Sequence, residues 1–195
     1  MLGEVDSPEL SLGLGILSHI LIGTPASPLR KALISSGLGE DLVGDGLETL
    51  LRQASYSVGL KGISPEDAKQ VECLILDTLA DLAQHGIDSD TIAASMNTIE
   101  FRLRENNTGQ FPRGLSLMLR AMPGWLHNGD PLSRLAFDAP LAEVKDRLVR
   151  GERYFEKLIV DYWLENPHRV TVMLRPDPDL NLREEEYDRQ RLLDC

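Results

Sequence analysis

The chain has 195 residues, with 20 Lys and Arg against 31 Asp and Glu, so its formal net charge is −11. This length suits one domain, or one domain and a tail, and a hydrophobic fraction of 42% excludes wholesale disorder. The acidic balance argues against a nucleic-acid partner, because no excess of cations is present to displace counterions from phosphates. Two cysteines, Cys73 and Cys195, are too few for a disulfide scaffold and indicate a reducing compartment.

The most apolar stretch of the chain, residues 10–22, contains two serines, a histidine and two glycines. It is also shorter than the roughly 20 apolar residues that a membrane-crossing helix needs, so we predict no membrane span. The first six residues lack the basic start and apolar centre of a signal peptide. If the chain is an excerpt of a longer one, that absence says nothing about targeting.

The first helix is predicted to begin at Ser7-Pro8-Glu9, because serine caps free amide groups, proline fits the first turn and an acid suits the helix dipole. Apolar residues at helical spacing follow on almost every side, which predicts burial on more than one side. Gly13 and Gly15 are expected to permit close packing. A second, short helix is predicted over residues 29–35, closed by glycines within residues 37–39.

Two strands are predicted, and both rest on the alternation of apolar with small or polar residues. They cover residues 50–61 and residues 168–175, and Pro176 ends the second of them. Residues 42–46 are turn-rich, and no strand is predicted there. Because a two-stranded unit is marginal by itself, the count indicates an incomplete sheet.

Further helices are predicted from cap residues and from apolar residues at helical spacing. The first runs from about residue 65 to a stop at Gly86, and the next begins at Asp88 or Ser89. Another starts at Pro112 and is kinked or ended early by Pro123-Gly124. Residues 141–149 form a short helix, residues 154–162 supply a final apolar face, and the charged stretch from residue 184 begins like a helix.

No local catalytic or metal site is encoded in the sequence. The four histidines stand singly, so neither zinc motif, H-E-x-x-H nor H-x-x-E-H, occurs; they are His19, His85, His127 and His168. No G-x-S-x-G nucleophile motif is present either. Cys73 lies among apolar residues, where we expect a buried thiol of low reactivity. We therefore predict no catalytic residue and no metal ligand.

A dense polar cluster, residues 100–113, lies between two apolar helices. Its residues Arg104, Asn106, Asn107 and Arg113 can bind a peptide or a phosphate. They can equally cap the two helix ends, which leave four unpaired backbone groups each. We favour the second interpretation, a structural cluster that links helices.

Residues 100–109, EFRLRENNTG, followed by residues 111–119, FPRGLSLML, closely resemble a stretch of the presequence proteases, a branch of the insulinase-like (pitrilysin) zinc metallopeptidases. Residues 21–30, 36–39, 58–62, 166–170 and 176–178 agree with the same family. The resemblance implies an α+β fold, a helix-rich, insulinase-like two-layer domain with a small, incomplete, mainly antiparallel sheet. It further implies that residues 1–178 are the non-catalytic second domain of the family's first half, without its first strand, and that residues 179–195 begin a helical connector.

The resemblance also implies a function. Such enzymes close around a chamber that degrades unfolded peptides, for example cleaved targeting presequences. Their zinc is bound by another domain, so this segment holds no cofactor and is inactive alone as a metalloendopeptidase. Its implied partners are the remaining domains of the same polypeptide and unfolded peptides, with neither nucleic acid nor membrane. The implied location is soluble, in the mitochondrial matrix or chloroplast stroma of a eukaryote or the cytoplasm of a bacterium. The alternative is a free-standing, non-catalytic interaction subunit.

In the wider family a strand of the second domain anchors the N-terminal portion of the substrate. The resemblance places this strand at residues 47–57, with Leu50, Ala54, Ser55 and Tyr56 as peptide contacts. Backbone pairing along an edge strand accepts many sequences, although the strand can instead be internal and paired on both sides. The negative charge would concentrate basic targeting peptides, and ordinary solubility explains the charge almost as well.

Overall fold

The computed structural model describes residues 1–5, 7–106 and 108–193. Its helices far outnumber its strands, and the sheet is small and antiparallel, which confirms the α+β prediction. In chain order the elements are β1 (Gly3–Glu4), α1 (Pro8–Ile22), α2 (Pro28–Ser35), β2 (Asp41–Glu48), β3 (Gln53–Lys61), α3 (Ala68–His85), α4 (Ser89–Glu105), α5 (Arg113–Leu126), α6 (Asp138–Val149), α7 (Tyr154–Ile159), a π-helical turn (Val160–Leu164) and α8 (Leu180–Leu193).

The sheet has the strand order β1-β3-β2, so β3 lies in the middle. β1 pairs with the start of β3, where Gly3 lies opposite Ala54. β2 pairs with the rest of β3, from Asp41 opposite Lys61 to Glu48 opposite Ser55. The predicted strand over residues 50–61 is confirmed, although it begins three residues later, at Gln53.

The prediction that residues 42–46 form a turn is wrong, because they lie within β2. The register of β2 against β3 shifts between Val43 and Gly46, and Gly44 and Gly46 adopt positive φ angles of 106° and 68°. A Cβ atom at Gly44 would lie 2.6 Å from the main-chain oxygen of Ser57. The glycines that suggested a turn therefore form a bulge inside a strand.

The predicted strand over residues 168–175 is also wrong, since the structure assigns this segment no strand. Most of its apolar side chains are strongly exposed, at 85% for Val170 and 91% for Leu174. Alternation reports a preference for extended backbone, but a strand forms only beside a partner, and no described strand pairs with this segment. The segment begins beside the N-terminus, where the Met1 amino group donates to the His168 carbonyl oxygen at 3.0 Å.

α1 is the centre of the hydrophobic core. Ser7 caps it as predicted, with the Oγ atom accepting from the Leu10 amide at 3.3 Å. The helix contacts α2, α4, α6, α7 and β2, and the predicted burial on more than one side is confirmed by its fully buried residues Leu14, Ile16, Leu17, Ile20 and Leu21.

The two glycines of α1 differ. A Cβ atom at Gly13 would overlap Tyr154 Oη and lie 3.0 Å from two carbons of that ring, whereas one at Gly15 would meet no atom within 4 Å. The expectation of close packing is thus correct for Gly13 and wrong for Gly15.

The helices cover one face of the sheet. Tyr56, Val58 and Leu60 of β3 pack into the core, while Ser57 and Lys61 on the opposite face are exposed. The Tyr56 ring meets the Trp163 ring edge to face, with 5.0 Å between centroids. This arrangement is a layer of helices on a layer of sheet.

The ends of the later helices follow their local signals, with two exceptions. α3 ends before Gly86, and Asp88 caps α4 through an Oδ2 atom that accepts from the Thr91 amide at 2.9 Å. Of the two outcomes predicted at Pro123-Gly124, a kink or an early end, the early end does not occur, since α5 continues through Pro123 to Leu126. A proline removes one helical hydrogen bond, and water can reach the exposed turn of Leu119 that would have accepted it. α6 begins at Asp138, three residues before the predicted start.

Cys73 on α3 is exposed, which corrects the predicted buried thiol.

Candidate peptide-binding surfaces

β2 is the terminal strand of the sheet, and within the described ranges no strand lies along its other side. Residues 43–45 are exposed at this edge. Further along, the Leu47 amide donates to Ser18 Oγ of α1 at 3.2 Å. At the bulge, the Leu42 amide donates to Asp41 Oδ1 at 2.8 Å and the Asp45 amide donates to Ser57 Oγ at 3.0 Å. The edge is therefore exposed around the bulge, where two amides already have side-chain acceptors, and covered near Leu47. We call residues 41–48 the β2 edge.

Two of the predicted peptide contacts lie in the middle strand. Ala54 is only 2% exposed, its carbonyl oxygen accepts from the Leu2 amide at 2.7 Å, and it lies opposite Gly3. Ser55 lies opposite Glu48 of β2. At this point the sheet has the internal pairing that the sequence left as an alternative, and the peptide contact of both residues stays a prediction.

The other two predicted contacts occupy different environments. Leu50 lies in the β2–β3 loop and is 59% exposed, and His127 Nε2 lies 3.2 Å from its carbonyl oxygen. Tyr56 is packed into the core, its hydroxyl has no hydrogen-bond partner among the described residues, and burial raises its pKa. Leu50 is therefore exposed and Tyr56 is partly buried against the core, and the peptide contact of both residues stays a prediction.

A groove of about 800 Å³ lies between α5, the first half of α1 and the β2–β3 loop. We call it the α5 groove. Sequence analysis did not predict it, because its walls come from segments far apart in the chain. The one sequence feature that could have indicated the groove is α5, an amphipathic helix whose apolar residues are largely exposed in the structure. Among the apolar side chains that line the groove are Val5, Leu12, Leu50, Ile99, Leu103, Phe111, Leu119 and Phe137.

The loop after α5 is fastened to the β2–β3 loop. Arg134 Nη1 donates to the Thr49 carbonyl oxygen at 3.1 Å, in addition to the contact between His127 and Leu50. The turn at the end of α5 is closed by a main-chain hydrogen bond, in which the Gly129 amide donates to the Gly124 carbonyl oxygen at 2.8 Å. These contacts hold two walls of the α5 groove together.

The α5 groove is positively charged, in contrast to the chain as a whole. Three arginines and one glutamate line it, which gives a balance of +2 within a chain of −11. Arg52 pairs with Glu4 at 2.9 Å, and Arg134 uses one nitrogen on Thr49. Arg120 is half-buried, and no described residue forms a hydrogen bond or ion pair with it.

The polar cluster of residues 100–113 joins helices where it is described. Arg104 Nε donates to Glu100 Oε1 at 2.9 Å, and its Nη1 donates to Asp138 Oδ1 of α6 at 3.3 Å. Hydrogen bonds from Lys145 and Arg104 lower the pKa of Glu100. Asn106 ends α4 with a left-handed φ of 42°. Asn107 lies outside the described residues, and Arg113 is exposed at the start of α5.

The described side chains do not fit a zinc ion. Over residues 1–5, 7–106 and 108–193, no group of three or more His, Cys, Asp or Glu side chains could hold a metal. His19 is buried in the core, where burial and then the nearby Arg102 charge lower its pKa. His85 lies 2.8 Å from Asp81, its neighbour on α3.

In the described part of the chain, no helix is both long and apolar enough for a membrane crossing.

Comparison with known families settles the class of domain. The model of the peptidase M16 inactive domain matches residues 2–99, half of the chain. The chain belongs to the peptidase M16 family. The resemblance to presequence proteases that the sequence shows is thereby confirmed, and the chain corresponds to a non-catalytic domain of a peptidase.

Relatives agree over nearly all of the chain. Presequence protease 1, chloroplastic/mitochondrial, of Arabidopsis thaliana is 49% identical over 186 residues, which are 94% of this chain and 17% of that protein. Protein HypA of Clostridium perfringens is 35% identical over 181 residues, 93% of this chain and 18% of that protein. The mitochondrial presequence protease of Mus musculus is 31% identical over 193 residues, 98% of this chain and 18% of that protein. The chain spans less than a fifth of the length of these relatives.

Proposed function

We propose that this M16 domain is a non-catalytic, peptide-binding wall in a zinc metallopeptidase that degrades unfolded peptides such as cleaved presequences. The observation that carries the proposal is the β2 edge, where residues 43–45 are exposed and no described strand pairs on the outer side. An extended peptide can add there as a further strand. Because a degradative chamber must accept unrelated sequences, main-chain pairing suits it better than recognition of side chains.

The bulge limits where the peptide can pair. The Leu47 amide is already bonded to Ser18, so pairing takes place on the Asp41 side of that residue. The Leu42 and Asp45 amides already have side-chain acceptors that a peptide would have to replace. Each main-chain hydrogen bond gained is worth about 0.5–1.5 kcal/mol, so the pairing gives weak binding without any side-chain specificity. The charge of −11 favours encounter with basic peptides.

The zinc and the catalytic groups of this proposed enzyme come from another domain of the same polypeptide, since the described side chains do not assemble a metal site. The names of relatives suggest a mitochondrial or chloroplast location for a eukaryotic source. When incubated with zinc and a fluorogenic peptide, the chain is expected to bind the peptide without cleaving it. Cleavage by this chain alone would contradict the proposal.

Backbone-modified peptides test the strand addition. A labelled, extended 10-residue peptide is titrated with the full chain, and its fluorescence anisotropy is measured. Two variants of the peptide carry N-methyl groups on alternate residues, one on the even positions and one on the odd positions. Since only alternate amides of an added strand face β2, one variant should bind clearly more weakly than the parent peptide and the other should bind nearly as well. Equal binding of all three peptides would refute the proposed pairing.

A matched pair of variants locates the pairing. Val43→Pro removes the amide of an exposed residue that lies opposite Gly59 and so disturbs the β2 edge, whereas Val43→Thr keeps both the amide and the β-branched shape. The proline variant is expected to lose peptide affinity and the threonine variant to retain it, provided that thermal unfolding shows both to be folded. If both variants bind like the original chain, the peptide pairs elsewhere.

A further inference from the structure

The α5 groove combines an apolar lining with cationic groups, and this combination selects a particular ligand. Leu119 of α5 and Phe111, just before α5, are 42% and 45% exposed. Leu103 and Phe137 line the same groove. A volume of about 800 Å³ lies within the range of sites that bind small ligands. The groove therefore has room for a short apolar segment.

Arg120 is the group in the groove that is available to an anion. Arg52 is engaged by Glu4, and Arg134 is partly engaged by the Thr49 carbonyl. Arg120 lines the groove, is half-buried, and has no hydrogen-bond or ion-pair partner among the residues that the structure describes. A guanidinium presents a planar fork of donors that matches a carboxylate, and partial removal from water strengthens such a pair.

We infer that the α5 groove binds the C-terminal end of a peptide, with the last side chains in the apolar groove and the terminal carboxylate at Arg120. The inference rests on the proposed peptide-binding function and adds a second contact to it. The charge complementarity is local: the groove carries +2 although the chain carries −11. Every linear peptide has one terminal carboxylate, so this group is an anionic feature that does not depend on sequence.

The two contacts use different residues, so they can be tested separately. The β2 edge comprises residues 41–48, and none of these lines the α5 groove. A peptide that loses its terminal charge still has all of its main-chain donors. Conversely, a peptide with methylated amides still has its carboxylate.

The test compares two peptides of one sequence, ending in three apolar residues, with a free carboxylate in one and a carboxamide in the other. Fluorescence anisotropy of the N-terminally labelled peptides gives the affinity for the full chain. The acid is expected to bind about 10-fold more tightly than the amide, which corresponds to ~1.4 kcal/mol. Arg120→Gln should abolish this difference. Arg113→Gln removes the same charge from an exposed site outside the groove and should preserve it.

Arg120→Lys is the second variant, because it keeps the charge and the long stem but loses the planar fork. It should retain a smaller acid-over-amide preference, and circular dichroism checks that each variant is folded. Equal binding of acid and amide to the original chain would overturn the inference, while the alternate-methylation effect could persist and leave strand addition intact. A preference that survives Arg120→Gln would place the carboxylate elsewhere and would also overturn it.

A third peptide distinguishes the source of the carboxylate. It ends in a carboxamide and carries one internal glutamate among the apolar residues. It is expected to bind as weakly as the plain amide. Recovery of tight binding, with dependence on Arg120, would show that the groove takes acidic side chains and would refute the assignment of the C-terminus.

Discussion

The contrast between the two glycines of α1 gives a sharp test of the core. Gly13→Ala places a methyl group against the buried Tyr154 ring, while Gly15→Ala places one in open space on the same helix. Both substitutions gain the same helix propensity, about 0.8–1 kcal/mol. They differ only in what the methyl group meets, so Gly15→Ala is the matched control.

The expected magnitude follows from the packing around Tyr154. Its ring is 6% exposed, lies at 5.3 Å from the Phe155 centroid and sits beneath the Arg147 guanidinium, so it cannot swing away without displacing its neighbours. Overpacking of this kind costs about 1–3 kcal/mol. Gly13→Ala should therefore lower the free energy of unfolding by about 0–2 kcal/mol, and Gly15→Ala should raise it by up to ~1 kcal/mol.

Urea unfolding and thermal melts measure the difference. For a chain of this length, 1 kcal/mol corresponds to a change of roughly 2–4 °C in Tm. Burial raises the pKa of Tyr154 to about 12, so its hydroxyl is neutral at pH 7 and the conflict is steric. Tyr154→Phe removes the overlapping oxygen, and should restore part of the stability lost by Gly13→Ala. Equal stabilisation by the two alanines would refute the packing described here.

Three further substitutions test other parts of the fold. Glu156→Ala leaves the buried Ile87 amide without the carboxylate that accepts from it at 3.0 Å, and should cost about 1–3 kcal/mol in urea unfolding; Glu156→Gln keeps an acceptor and should cost less. Gly44→Ala forces a φ of 106° on an L residue and crowds a main-chain oxygen of β3, so it should cost about 2 kcal/mol or more, whereas Gly59→Ala, with ordinary contacts, should cost less in the same melts. Burial lowers the pKa of His19 in the folded chain. The folded state therefore keeps its full stability above the unfolded pKa of about 6.5, where the histidine is neutral, and loses stability as the pH falls below that value. His19→Gln should flatten this part of the profile of stability against pH, and an unchanged slope would contradict the burial effect.

Much of the helical layer could be predicted from local signals. The Ser7 cap, the Gly86 stop and the Asp88 cap act within one turn of the chain, and the 3.6-residue repeat identifies the buried side of a helix without knowledge of its partner. The strands of the sheet were harder to predict than the helices. Glycines can mark a turn or a bulge, and only the β3 strand beside Gly44 distinguishes the two.

The candidate sites show the same difference between what local sequence patterns predict and what depends on folding. The sequence patterns pointed correctly to the family, because the matching blocks consist of residues close together in the chain. They could not locate the α5 groove, whose walls include Val5, Leu50, Leu103 and Arg120. Nor could they show that Tyr56 packs into the core while Leu50 remains at the surface.

The amino-acid sequence by itself determined the family, most helix limits and the apolar residues of α1. The tertiary structure alone decided which strand is terminal, which of two similar glycines touches a neighbour, and which arginine of the α5 groove has no hydrogen-bond or ion-pair partner among the described residues. The physical reason is range: caps and periodicity are set by neighbours in the chain, whereas strand pairing, steric contact and ion pairing depend on residues brought together only by folding.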